Sequence, residues 1–125
     1  MTRARRYRYM IDTVSSSIIY KEKEYKLVFN LNVMEAIQDE YKSLDKWGSM
    51  TDGSQGEPNI KALLFGFQEM LNEGIEIANE DNGTNEPLLT HKQVARIVTE
   101  VGMKNVSKKI DEVVIASAGD TSKNE

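Results

Sequence analysis

Apolar and polar positions alternate with a period of two near the start of the chain, then change to helical spacing after about residue 32. In RRYRYMI, Arg6, Arg8 and Met10 alternate with Tyr7, Tyr9 and Ile11, the pattern of a short strand with one basic and one aromatic face. SSIIY (Ser16 to Tyr20) and EYKLVFN (Glu24 to Asn30) are rich in β-branched and aromatic residues, and the polar Lys21 to Lys23 between them suits a hairpin connection. In the second strand Tyr25, Leu27 and Phe29 share a face, opposite Lys26, Val28 and Asn30. A lone hairpin is marginal in water, so the face with Leu27 and Phe29 is expected to pack on helices.

Asn32, with Glu35 three residues on, has the form of an N-cap and a variant capping box. The helix it would open, VMEAIQDEYKSL, places Met34, Ile37, Tyr41 and Leu44 on one side. Ser43 and Asp45 can start a short extra turn carrying Trp47 before Gly48, and SMTDGSQGEP is a loop by composition. A second major helix is expected from Asn59 to Gly74, with Ile60, Leu63, Leu64, Phe67, Met70 and Leu71 as its apolar stripe. Phe65 falls off that stripe, either as core against the hairpin or as an exposed anchor for a partner. IEIAN extends or follows this helix, and NEDNGTNEP is the strongest loop signal in the chain. Thr90 and Gln93 form a capping box for a helix with Val94, Ile97, Val98 and Val101 inward, broken at Gly102. A last helix, residues 104–118, aligns Met103, Val106, Ile110, Val113, Val114 and Ser117, with Gly119 as its cap.

These elements predict an α+β, mostly α fold: a small N-terminal β-hairpin or three-stranded sheet packed on about four helices. The 125 residues divide into a basic arm or edge strand (1–15), one globular domain (16–118) and a polar tail (119–125).

Charge adds one asymmetry. Arg3, Arg5, Arg6 and Arg8 put four positive charges into the first nine residues, while the rest carries 12 bases against 20 acids. Between Ala62 and His91 there is no Lys or Arg, and Glu69, Glu73, Glu76 and Glu80 recur at helical spacing as a candidate acidic face. An acidic body disfavours nucleic acid, whose affinity depends on neutralising phosphates. The Arg–Tyr interleaving of the arm is the one feature that suits a single strand.

Candidate chemistry is sparse. Without cysteine, and with His91 the single histidine, thiolate sites are excluded and a His-based metal site or Ser–His triad has little to build from. His91 stands in the first turn of its helix beside Lys92, where a solvated imidazole is the ordinary reading. There is no GxxxxGK[ST] and no alternating-ligand calcium loop, so neither an enzyme nor a cofactor is expected. No apolar run approaches the roughly 20 residues that span a bilayer, so no membrane association is expected. A helix-turn-helix about Gly102 would bury Lys108 and Asp111, both charged, and is out of register with the apolar set.

A strand ending FNLN runs directly into VMEAIQDEYKSLDKW, followed by KALLFGFQEMLNEGIEIANE and LTHKQVARIV. Across residues 24–115 this succession resembles the tail assembly chaperones of tailed bacteriophages and prophage elements, particularly the short forms from Gram-positive hosts. The likeness rests on Asn32, Glu35, Ala36, Ile37, Tyr41, Leu44, Trp47, Leu71, Asn72, Glu73 and Gly74. It implies a non-catalytic factor in the bacterial cytoplasm that binds the tape-measure protein, helps recruit tail tube protein and is absent from the mature virion. Trp47 and Phe65 are the candidate protein-binding pair, against simple packing of Trp47 on the first helix. Two other functions compete: a structural tail or connector subunit retained in the virion, and a small nucleic-acid-binding regulator using the Arg/Tyr arm. Self-association is left open.

Overall fold

The computed structural model describes residues 16–123, with side chains as far as Ser117. The alternating segment at Arg6–Ile11 and the arginines Arg3, Arg5, Arg6 and Arg8 lie outside the described residues. The fold is mostly helical with a small antiparallel hairpin packed on the helices. Strands β1 (Ser16–Tyr20) and β2 (Lys23–Leu27) are followed by α1 (Leu31–Tyr41), α2 (Leu44–Thr51), α3 (Ile60–Asn82), α4 (His91–Val101) and α5 (Met103–Lys123). Among the described residues the sheet has two strands.

The hairpin turns through Lys21 and Glu22 alone, with Lys23 already in β2. Both turn residues have positive φ, 51° and 65°. A two-residue turn of this hand matches the strand twist but favours Asn-Gly. Side chains here cost conformational energy, so Lys21→Asn combined with Glu22→Gly should raise stability by about 1 kcal/mol. A higher urea midpoint with unchanged slope would register it.

Helix α3 is the spine: β2, α1, α2, α4 and α5 all touch it. Its apolar stripe buries Leu63, Leu64, Phe67, Met70 and Leu71, joined by Ala62 and Gly66. Ile60, expected in that stripe, is exposed at the first helical position. Asn59 caps the helix by accepting from the Ala62 N–H at 2.9 Å. Gly74 does not end it; α3 continues through IEIAN to Asn82 and stops where Gly83 turns left-handed at φ 66°. Below α3 the core is completed by Val94, Ile97 and Val98 of α4 and by Val106, Ile110 and Val113 of α5.

Asn32 is not the cap of α1. Asn30 is, accepting from the Val33 N–H at 3.2 Å in an extended conformation. The frame moves accordingly: Val33 and Ile37 are buried, and Met34 is only half-buried. Ser43 caps α2, which runs through Gly48 to Thr51 as two full turns rather than one. The Thr90–Gln93 box forms in both directions, at 2.8 and 3.2 Å. Gly102 closes α4 at φ 101°, whereas α5 passes Gly119 and reaches Lys123. No helix among the described residues is long and apolar enough to cross a membrane.

Candidate protein-binding surfaces

Trp47 sits in the core. Its ring is 3% exposed, and its Nε1–H donates to the Ala62 carbonyl at 2.9 Å. The slot it fills exists because residue 66 is glycine: a Cβ there would lie 2.2 Å from Trp47 Cζ2. Thr51 extends this junction, donating to the Trp47 carbonyl at 3.1 Å and accepting Ser107 of α5 on its own carbonyl at 2.9 Å. Trp47 therefore offers no surface to a partner here; its polar edge is satisfied by α3, and its apolar body by close approach to Gly66. Phe65 is half-buried and packs edge-on against Tyr41, with centroids 5.6 Å apart at 71°. Of the expected pair, Phe65 alone keeps partial exposure.

The four glutamates of α3 do not act alike. Glu73 accepts from Asn30 Nδ2 at 2.8 Å and Asn32 Nδ2 at 3.0 Å, fastening the start of α1 to α3. Glu76 and Glu80 are exposed. Glu69 is half-buried, and its carboxyl is held above the usual range by burial first, then by the Glu73 and Glu76 charges. A carboxyl with a raised folded pKa binds protons more readily when folded, so its ionisation costs stability as pH rises through that pKa. Glu69→Gln is therefore expected to raise Tm at pH 7, with the advantage vanishing toward about pH 4 as the native carboxyl protonates. Asp111 is raised likewise, by burial and by Asp52. His91 is exposed on the first turn of α4. Among the described residues no group of three or more His, Cys, Asp or Glu could hold a metal ion.

An open cleft of about 470 Å³ lies between β1 and α5. Ser17, Ile18 and Ile19 line its strand side, and Val101, Asn105, Lys108, Lys109 and Glu112 its helix side. Ile19 is 72% exposed. Sequence reasoning passes over this place because the spacing from Asn105 to Glu112 is that of any solvated helix face. The available signal was in β1 itself, five residues with neither a charge nor a proline.

No protein-family model matches this chain, and no curated protein or solved structure matches it either.

Proposed function

We propose that this chain is a non-catalytic tail assembly chaperone, which keeps an unassembled tape-measure protein soluble and helps bring tail tube subunits to it. The observation that carries the reading is where the residues of the resemblance sit. Asn32 meets Glu73, Tyr41 meets Phe65, Trp47 bonds Ala62, and Gly74 lies against the Lys26 carbonyl. Asn72 clamps Leu89 from both sides, accepting its N–H at 2.8 Å and donating to its carbonyl at 3.1 Å. These residues are the joints between α1, α2, α3, β2 and the segment before α4, so the likeness follows a tertiary framework rather than a single helix pattern.

The physical setting suits the role. A long helical protein awaiting assembly exposes apolar stripes that aggregate. Leu31, Ile60, Leu88 and Ile115 are exposed apolar side chains on an otherwise acidic body, able to cover such stripes while net charge keeps a complex dissolved. The test is to co-express the tagged chain with the reading frames flanking its gene and identify what co-purifies. Recovery of a long helical tail protein, with this chain missing from purified particles, supports the proposal. Recovery of the chain alone, or its presence in finished particles, contradicts it.

A further inference from the structure

Among the described residues β1 is an edge strand, and its own sequence lacks the usual protection. Tyr20 stands opposite Lys23 across the two-residue turn, and the ladder continues with Ile18 opposite Tyr25 and Ser16 opposite Leu27. In such a hairpin these pairs exchange main-chain hydrogen bonds, so the N–H and C=O groups of Ser17 and Ile19 point away from β2. Among the described residues no other strand lies alongside them. Soluble proteins block such edges with charge, proline or a bulge. SSIIY has no charged or proline residue, its register with β2 is unbroken, and Ile19, next to the outward-pointing groups, is 72% exposed.

The cleft next to this edge is polarised along its length. Glu112 marks the Ser16 end, where Ser16 Oγ donates to it at 3.3 Å. Lys108 and Lys109 precede Glu112 by about one turn of α5, roughly 5 Å, farther along the same cleft. A groove with opposite charges in sequence along it complements itself when turned end over end.

We propose that the outer edge of β1 is a homodimer interface, in which β1 of a second copy pairs antiparallel with it across a two-fold axis at Ile18. Ser17 then lies opposite the partner's Ile19, and Ile19 opposite the partner's Ser17. Their outward groups form four main-chain hydrogen bonds, two per symmetric pair. The two hairpins become one four-stranded sheet, and each Ile19 side chain gains the partner's Ser17 as its cross-strand neighbour. The rotation also sets the Glu112 end of one groove against the Lys108 and Lys109 end of the other. This self-complementarity in register and charge selects a second copy over an unrelated strand.

Sedimentation equilibrium of the full chain over a concentration series, with hydrogen exchange at the Ser17 and Ile19 amides, tests this. The expected result is a dimer with both amides slowed. Ile19→Lys, at a solvent-facing position that leaves the core intact by circular dichroism, should weaken dimerisation on the order of tenfold or more. Lys108→Glu should also weaken it, and adding Glu112→Lys should restore it. A chain that stays monomeric, whether its Ser17 and Ile19 amides exchange quickly or slowly, overturns the proposal. So does a dimer unaffected by Ile19→Lys.

Discussion

Trp47→Ala is expected to destabilise the domain by about 3–5 kcal/mol, the range for deleting a large buried aromatic. The ring is 3% exposed, and its removal also takes away the donor to the Ala62 carbonyl. Against a typical total of about 5–15 kcal/mol, this loss would bring the protein close to unfolding at physiological temperature. The same site yields a coupled prediction. In Gly66→Ala the new Cβ meets Trp47 Cζ2 at 2.2 Å and Cε2 at 2.8 Å, and a buried, tethered indole has little room to retreat. The overpacking cost, about 1–3 kcal/mol, should outweigh the gain of up to about 1 kcal/mol from replacing a helical glycine. In the double variant Trp47→Ala makes space for the Cβ, so urea unfolding should show a loss well short of the sum of the two. Gly48, where a Cβ would meet nothing within 4 Å, is the control: Gly48→Ala should stabilise by about 0.5–1 kcal/mol. Additive losses at 47 and 66 would mean that the two residues do not share one packing site.

Gly74→Ala carries the second large effect, of about 2 kcal/mol against stability. A Cβ at position 74 would lie 2.7 Å from the Lys26 carbonyl oxygen, a backbone atom that cannot rotate aside. Leu27, fully buried, and the hydrogen bond from the Val28 N–H to the Met70 carbonyl at 3.3 Å hold the strand down on α3. The hairpin must therefore lift or the helix must shift. Amides of β1 and β2 should exchange faster in the variant while those of α4 change little. A variant more stable than the parent would show that the strand retreats freely and that helix propensity decides.

Local chemistry was legible where it acts alone. The Thr90–Gln93 box forms as expected, the second major helix begins next to Asn59, and the two strands pair, although β2 ends at Leu27 rather than Asn30 and the turn is confined to Lys21 and Glu22. The misplaced features depend on distant partners. Asn30 and Asn32 are both plausible caps by local rules. Asn30 takes the cap, and Asn32 lies inside α1 with its amide, like that of Asn30, donating to Glu73, 41 residues farther along the chain. Gly74 carries the same stop signal as Gly83, yet only Gly83 adopts positive φ; Gly74 stays helical, and its missing side chain admits β2. Trp47 resembles a surface anchor beside a polar loop until Gly66, on another helix, supplies the slot that buries it. The cleft along α5 was illegible for a similar reason: only the tertiary placement of β1 turns an ordinary helix face into one wall of a groove.

The proposed role is to keep another protein soluble. Its most direct measurement is the fraction of the flanking long helical tail protein that stays in the supernatant after high-speed centrifugation, expressed with and without this chain. The tail protein is expected to pellet when expressed alone and to stay in solution when this chain is supplied in at least equal amount. A tail protein equally soluble in both cultures, or equally insoluble, would contradict it.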